Sequence, residues 1–176
     1  MEIKEISLPG LFMIIPHIHR DKRGYFFESF RGDMMKIYDL PTSFIQENQS
    51  KSDRGIIRGL HYQLKYPQGK LVRVSFGKVY DVAVDIRKGS PTFGHYYGTI
   101  LSDENHLTMF IPEGFAHGYS VLSDTAIFQY KCTNIYHKED EYGIRWDDSE
   151  IDIDWKISNP TLSTKDSNLP FLKNIQ

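Results

Sequence analysis

Three side chains that could do acid–base or electrostatic chemistry lie close together in the segment RGIIRGLHYQLKYPQGKLVRV, which begins at Arg54. They are Arg58, His61 and Lys70, and the residues around them are mostly apolar with strand propensity. A neutral imidazole can accept a proton near pH 7, a lysine can stabilise an oxyanion, and an arginine suits phosphate oxygens. Each residue alone is more often structural than functional, so the cluster is what indicates a site.

Alternation along a strand decides which of these side chains can share a cavity. Adjacent strand residues point to opposite faces, which puts His61 and Gln63 on one face and Arg58 on the other. Arg58 and His61 can therefore line one cavity only if Gly59, which lies between them, forms a β-bulge.

A second candidate segment is IPEGFAHGYSVL, in which Pro112, Gly114 and His117 have the spacing Pro-x-Gly-x-x-His. This spacing resembles the second motif of the cupin superfamily, where a turn delivers a histidine into a β-barrel. The first motif of metal-binding cupins supplies a His-x-His pair, but here Gln63 stands where the second histidine would be. Two histidines, a glutamine and a lysine make a poor transition-metal site. We therefore expect no metal and no other cofactor, and acid–base chemistry in their place.

Strand signals dominate the regions that must position these residues. In KLVRVSFGKVYDVAVDIRKGSPTFGHYYGTILS, alternating runs are broken at Gly77, at 88–91 and at Gly94, which predicts consecutive antiparallel strands. Tight-turn signals at 112–114 and 123–124 continue the pattern.

Helix signals are few. One helix is predicted over 31–40, ended by Pro41, and a loop-rich tail follows Trp146. Many short strands at regular spacing are typical of a sandwich or barrel, whose closure removes exposed strand edges. The fold prediction is an all-β, cupin-like jelly roll (a double-stranded β-helix) with a few short peripheral helices, in one domain spanning 1–176.

Composition excludes several classes of partner. The 176 residues are 40% hydrophobic and 25% charged with a net charge of −2, and no basic stripe of the kind that duplex nucleic acid requires is present. An anionic ligand must therefore be met by a local cluster. The single cysteine, Cys132, rules out an internal disulfide, and neither a membrane-length apolar run nor a leader pattern occurs. We expect a cytoplasmic protein that binds neither nucleic acid nor membrane.

An ordered series of motifs carries a family resemblance over roughly Leu8 to Leu172. The motifs are DKRGYFFESF, FIQENQSKS, RGLHYQ, PQGKLVRV, DVAVDIRKGSPTFG, LSDEN, IPEGFAHGYSVLS, YKCTNIYHKEDEYGIRWDD and LSTKDSNLP. In this order they closely resemble the dTDP-4-dehydrorhamnose 3,5-epimerases. The resemblance implies a metal-free jelly roll, a homodimer and a dTDP-4-keto-6-deoxy sugar as substrate. The implied reaction inverts C3 and C5 of dTDP-4-dehydro-6-deoxy-D-glucose on the route to dTDP-L-rhamnose.

The same resemblance implies four catalytic residues. His61 matches the base, and Tyr130 matches the proton donor on the opposite face of the sugar. Lys70 matches a lysine that would place positive charge near the C4 oxygen, where an enolate develops its negative charge. Asp166, in LSTKDSNLP, matches the aspartate that fixes the tautomer of the base, and Asp81 remains an alternative partner for His61.

Substrate contacts away from the reacting carbons are implied as well. The N-terminal segment DKRGYFFESF is implied to reach into the site of the partner subunit, and the remaining contacts come from strands and from the tail. The implied substrate-binding residues are Arg23, Phe26, Glu28, Gln46, Glu47, Asn48, Arg58, His117, Glu141 and Lys165.

Two alternatives stay open. The first is an enzyme acting on a related dTDP-4-keto sugar, either as a mono-epimerase or as a 3,4-ketoisomerase. The second is a non-enzymatic cupin that only binds a sugar. The joint presence of His61, Tyr130 and Asp166 argues against mere binding, which needs no acid and base on opposite faces.

Overall fold

The computed structural model describes residues 1–175, and thirteen short strands form the framework of this part of the chain. The strands are β1 (Glu2–Glu5), β2 (Phe12–Ile15), β3 (His19–Asp21), β4 (Gly24–Phe26), β5 (Gln46–Asp53), β6 (Ile57–Gln63), β7 (Lys70–Phe76), β8 (Lys78–Asp85), β9 (Tyr96–Ser102), β10 (Thr108–Ile111), β11 (Phe115–Val121), β12 (Thr125–Cys132) and β13 (Glu141–Gly143). The last residue of the predicted domain, Gln176, lies outside the described residues.

Two sheets face each other, and both are antiparallel. The first has the strand order β1-β2-β10-β7-β12-β5, and the second has the order β13-β6-β11-β8-β9. A separate hairpin pairs β3 with β4. Strands that follow each other in sequence, such as β7 and β8 or β11 and β12, lie in different sheets. This connectivity is that of a cupin-like jelly roll, so the all-β prediction is confirmed.

The pairing of consecutive strands needs a correction. The predicted break at Gly77 is present, but β7 and β8 on either side of it do not pair with each other. Gly77 has φ +78°, a conformation open to glycine, and the chain uses it to cross from one sheet to the other. Of the three predicted strands, only β8 and β9 pair. A sequence break marks the end of a strand but not the identity of its partner.

The space between the sheets is filled by apolar side chains from both. Val72, Met109 and Phe128 of the first sheet pack with Val79 and Val121 of the second, and none of the five is more than 1% exposed. Burying one such side chain contributes about 1.5–3 kcal/mol. This packed cluster lies next to the polar cavity described below, and Phe128 belongs to both.

The helices are short, as predicted. Helix α1 (Gly32–Ile37) lies within the predicted range 31–40, and it stops before Asp39, which adopts a left-handed φ of +55°. Helix α2 (Thr164–Ser167) lies in the loop-rich tail, and the Ser163 hydroxyl caps it by accepting a hydrogen bond from the Asp166 amide at 3.0 Å. Between residues 1 and 175 no helix is long and apolar enough to cross a membrane.

The tail is tied to the second sheet by backbone hydrogen bonds. Ile57 donates to the Thr161 carbonyl at 3.0 Å, and Thr161 donates to the Gly55 carbonyl at 2.8 Å. Trp155 adds an apolar contact and is 3% exposed. These contacts hold α2 beside β6, so a residue near the C-terminus reaches a side chain of that strand.

A β-bulge in β6 lets Arg58 and His61 point the same way. In the register with β11, His61 pairs with His117 and Arg58 pairs with Tyr119, so two residues of β6 stand opposite one of β11. The extra residue shifts the alternation by one position, and Arg58 and His61 line the same cavity. The β-bulge at Gly59 that a shared cavity requires is therefore present.

Glycine is required at position 59. Its φ is +114°, and a Cβ atom added there would lie 2.6 Å from both the Gly118 Cα and the His117 carbonyl oxygen. Because both atoms belong to the backbone, no side-chain rotation relieves the contact.

We expect Gly59→Ala to lower the free energy of unfolding by about 2–4 kcal/mol, through backbone strain and this close contact. Gly89→Ala is the matched control, since Gly89 also has a positive φ of +81° but no atom within 4 Å of the added Cβ. The control is expected to lose only about 1 kcal/mol. Urea denaturation of both variants measures the difference, and equal losses would contradict the steric argument.

Candidate active site

A cavity of about 640 Å³ opens between the two sheets, bounded by β5, β6, β7, β11 and β12 and by the tail around α2. Ten of the predicted site residues line it. They are Gln46, Asn48, Arg58, His61, Lys70, His117, Tyr130, Glu141, Lys165 and Asp166. The volume lies in the range of pockets that enclose small organic ligands.

His61 projects from β6 and is held by an aspartate of the tail. Its Nε2 lies 2.8 Å from Asp166 Oδ1, and the other carboxylate oxygen of Asp166 lies 3.5 Å from the Gly59 amide nitrogen. Burial alone would raise the pKa of Asp166, but the hydrogen bond from His61 outweighs it and the pKa lies below its usual value. An ionised carboxylate only accepts, so Nε2 carries a hydrogen, and in the neutral imidazole Nδ1 is the nitrogen without one. Nδ1 is the atom that can accept a proton.

The alternative partner, Asp81, belongs to a different histidine. The carboxylate of Asp81 lies 3.0 Å from His117 Nε2, and both side chains are buried. His117 stands beside His61 across the β6 and β11 pair. Two neighbouring histidines thus each have their own aspartate, and the geometry assigns Asp166 to His61.

On the facing sheet, Lys70 of β7 and Tyr130 of β12 form the opposite wall of the cavity. Burial lowers the pKa of Lys70, and it raises the pKa of Tyr130 to about 12. The phenol therefore keeps its proton at neutral pH. Among the ion pairs of residues 1–175 none involves Lys70, so its charge remains available to a ligand. The His61 imidazole and the protonated Tyr130 phenol thus face each other across one space.

Glu141 connects several groups near the mouth of the cavity. Its carboxylate accepts a hydrogen bond from the Tyr136 hydroxyl at 2.5 Å, pairs with Lys165 and lies 3.7 Å from His61 Nδ1. The hydrogen bond to Glu141 raises the pKa of Tyr136 to about 12. Tyr136 lines the cavity but was missed by the sequence analysis. The chain has 11 tyrosines, and nothing in the spacing of this one separates it from the others.

The donor set does not form a metal site. No group of three or more His, Cys, Asp or Glu side chains in the described part of the chain is arranged to hold an ion. In both His61 and His117, one ring nitrogen is hydrogen-bonded to an aspartate. Their arrangement suits proton transfer better than ligation.

Arg23, Phe26 and Glu28 do not line this cavity within one chain. Arg23 pairs with Asp21 on the β3–β4 hairpin, and its side chain is 84% exposed. Phe26 is 68% exposed, and Glu28 lies 3.5 Å from Arg31. All residues of the two hairpin strands are exposed. The family resemblance implies that this segment reaches the site of a partner subunit.

Glu47, which the family resemblance includes among the substrate-binding residues, does not line the cavity of its own chain. Gln46 and Asn48 face the cavity, and Glu47 between them points to the other side of β5 because strand residues alternate. Its carboxylate accepts a hydrogen bond from Lys131 at 2.8 Å. Glu47 therefore lies outside the cavity that its two neighbours line.

Comparison with known proteins supports one family. The family model described as dTDP-4-dehydrorhamnose 3,5-epimerase matches residues 5–174. The chain is 50% identical over 173 residues to the dTDP-4-dehydrorhamnose 3,5-epimerase of Shigella flexneri, an alignment covering 96% of this chain and 94% of the relative.

Solved structures have the same fold. The dTDP-6-deoxy-D-glucose-3,5-epimerase of Legionella pneumophila, solved in complex with dTDP-4-keto-L-rhamnose, superposes with a TM-score of 0.96 at 46% identity, covering 99% of this chain and 94% of that one. A double mutant of a 3'-monoepimerase from Streptomyces bikiniensis, solved in complex with dTDP, gives a TM-score of 0.90 at 31% identity, covering 96% and 86%. With a cavity that places His61 opposite Tyr130, and a family match over residues 5–174, this chain belongs to the dTDP-4-dehydrorhamnose 3,5-epimerase family.

Proposed function

We propose that the protein inverts C3 and C5 of dTDP-4-dehydro-6-deoxy-D-glucose to give dTDP-4-dehydro-L-rhamnose, in the formation of dTDP-L-rhamnose. The observation that carries this proposal is the opposition of the His61–Asp166 pair to Tyr130 across a cavity that also holds Lys70. Epimerisation next to a ketone needs a base on one face of the sugar and an acid on the other.

Each inversion follows the same proton path. His61 Nδ1 removes the proton from the carbon next to the C4 ketone, and the electron pair moves into an enolate whose negative charge develops on the C4 oxygen. Lys70 stabilises that oxygen, and Tyr130 delivers its phenolic proton to the opposite face of the carbon. Exchange with water then returns a proton to Tyr130 and removes one from His61. A positioned base contributes about 10²–10⁴-fold to the rate, and an oxyanion donor about 10²–10³-fold.

The diphosphate and the base of the nucleotide need their own contacts. Arg58 and Lys165 supply positive charge at the edge of the cavity, and arginine binds phosphate oxygens well because its donors form a planar fork. The amides of Gln46 and Asn48, on β5 of the facing sheet, offer donors and acceptors. Together these residues offer contacts for the phosphates and for the base of a sugar nucleotide.

Incubation with dTDP-4-dehydro-6-deoxyglucose in D₂O, with NMR of the recovered sugar, tests the function. Deuterium and inversion at both C3 and C5 are expected. The likeness to a 3'-monoepimerase favours mono-epimerisation as the second candidate, which would label and invert C3 alone. A ketone moved to C3 would indicate a 3,4-ketoisomerase, and an unchanged, unlabelled sugar would overturn the proposal.

A second part of the proposal is a homodimer in which the β3–β4 hairpin completes the site of the partner subunit. The hairpin exposes Arg23 and Phe26 to solvent in a single chain, and an exposed aromatic beside an arginine is typical of a contact surface. A single domain spanning 1–176 and a cytoplasmic location remain predictions from the sequence.

Mixing Arg23→Ala with His61→Asn is expected to restore about a quarter of native activity after subunit exchange, because half of the dimers become mixed and each has one intact site. Activity is measured at low substrate concentration, where loss of an Arg23 contact has most effect. The control mixes His61→Asn with Tyr130→Phe. Both of these residues line the same cavity of one chain, so no mixed site is intact. Equal recovery in both mixtures, or none in the first, would contradict a shared site.

Lys70→Met is expected to lower kcat by about 10²–10³-fold while raising the melting temperature. Turnover falls because the enolate loses its cation, whereas the fold gains because an unpaired, desolvated charge is removed. The folded-state pKa of Lys70 lies below its unfolded value, so wild type gains stability as pH rises between the two. The difference in melting temperature between Lys70→Met and wild type should therefore become smaller at alkaline pH.

Lys88→Met, in an exposed turn, is the control and should change neither kcat nor melting temperature. A Lys70→Met variant that melts below wild type would contradict the electrostatic argument, and one that keeps full kcat would contradict the role of Lys70 at the C4 oxygen. Melting curves between pH 7 and pH 10 and steady-state kinetics measure both.

A further inference from the structure

A buried serine holds Arg58 in place at the edge of the cavity. Ser52 lies on β5 of the first sheet and is 5% exposed, and its hydroxyl oxygen accepts a hydrogen bond from Arg58 Nε at 2.9 Å. Two residues earlier on the same face of β5, the Ser50 hydroxyl lies 2.7 Å from the hydroxyl of Tyr119. Tyr119 is the register partner of Arg58 across β6 and β11. Both members of this cross-strand pair are thus bonded to a serine of the opposite sheet.

The hydrogen bond fixes a side chain that has no other anchor. Arg58 belongs to the bulged part of β6 and is exposed, and none of the ion pairs within residues 1–175 includes it. Long arginine side chains lose much rotamer freedom when they bind, unless they are ordered in advance. Because Nε is committed to Ser52, the two terminal nitrogens remain free for an anion. Their four hydrogens can donate to phosphate oxygens as a fork.

The position of Ser52 suits this task. It lies on the face of β5 that Gln46 and Asn48 share, and the bulge at Gly59 turns Arg58 toward that face. The serine and the arginine come from opposite sheets, so their hydrogen bond fixes the guanidinium relative to both walls of the cavity. Within residues 1–175, this hydroxyl is the only hydrogen-bond partner of the Arg58 guanidinium.

We propose that Ser52 is a positioning residue for Arg58, which it orders for binding the diphosphate of the substrate. This proposal rests on the proposed function. Ser52 touches no substrate in this scheme and acts only through Arg58. Its removal should therefore weaken ligands that carry phosphate and spare ligands that lack it.

Titration calorimetry with dTDP and with thymidine tests the proposal. Ser52→Ala is expected to weaken dTDP binding about 5- to 20-fold and to leave thymidine binding unchanged. This loss is smaller than that for directly removing a hydrogen bond to a charged group, because Ser52 acts only through Arg58. Ser52→Thr keeps the hydroxyl and should restore most of the dTDP affinity. With Arg58→Ala already present, Ser52→Ala should cause no further loss of dTDP affinity, because the two residues act as one unit.

Several outcomes would overturn the positioning role. They are an equal loss for dTDP and thymidine, an additive loss in the double variant, or full dTDP affinity in Ser52→Ala. If Ser52→Ala does not fold, Ser52→Cys takes its place, since a thiol fills the same space but accepts hydrogen bonds poorly and should weaken dTDP binding similarly. Failure of wild type to bind dTDP at all would instead overturn the proposed function, and the two failures are thereby distinguished.

Discussion

His61→Asn is expected to abolish both deuterium uptake at C3 and net inversion, and to leave dTDP binding within about twofold of wild type. Asparagine is a neutral polar side chain that cannot accept a proton from carbon near pH 7. Loss of the base alone costs about 10²–10⁴-fold. Exchange in D₂O, inversion by NMR and dTDP binding by calorimetry are measured on one preparation.

The matched control is His117→Asn, at the register partner of His61 on β11. It removes an imidazole from the same cavity but not the proposed base, so it is expected to retain measurable exchange at C3. A His61→Asn variant that exchanges C3 as fast as His117→Asn would show that His61 is not the base. Loss of dTDP binding in His61→Asn would show instead that the variant disturbs the cavity itself.

The sequence alone could indicate the need for a bulge in β6, but it could not identify the partner of His61. Alternation sets a definite conflict between Arg58 and His61, and only an inserted residue at Gly59 resolves it. Asp166, in contrast, lies 105 residues from His61 along the chain. No period of a strand or helix relates such positions, so the family resemblance alone indicated this pair, and Asp81 remained an alternative until the geometry was known.

Strand boundaries were predicted better than strand partners. Apolar runs and glycine breaks are local, so the ends of β7, β8 and β9 follow from the sequence. Pairing depends on how the chain crosses between sheets, which Gly77 permits but does not specify. Glu47 shows a related limit. A motif match covers a whole run of residues, but strand alternation places Glu47, between Gln46 and Asn48, on the other face of β5. Tyr136 carries no local signal at all.

Tyr130→Phe is expected to separate exchange from inversion. The variant keeps His61 with its partner Asp166 and keeps the Lys70 charge, so the enolate should still form. It loses the only proposed proton donor on the opposite wall. Burial raises the pKa of the Tyr130 phenol to about 12, so in wild type this donor stays protonated throughout the assay range. The missing proton is thus the main chemical change.

In Tyr130→Phe, protonated His61 can return only to the face from which it took the proton. After exchange with D₂O it delivers deuterium there, and the starting configuration is regenerated with label at C3. We therefore expect exchange within about 10-fold of wild type and inversion slowed by about 10²–10⁴-fold. Tyr62→Phe is the control, because Tyr62 is a buried tyrosine next to His61 that does not line the cavity, and both rates should stay near wild type. If Tyr130→Phe loses exchange as completely as His61→Asn, or inverts both carbons at the native rate, the assignment of acid and base to opposite walls is wrong.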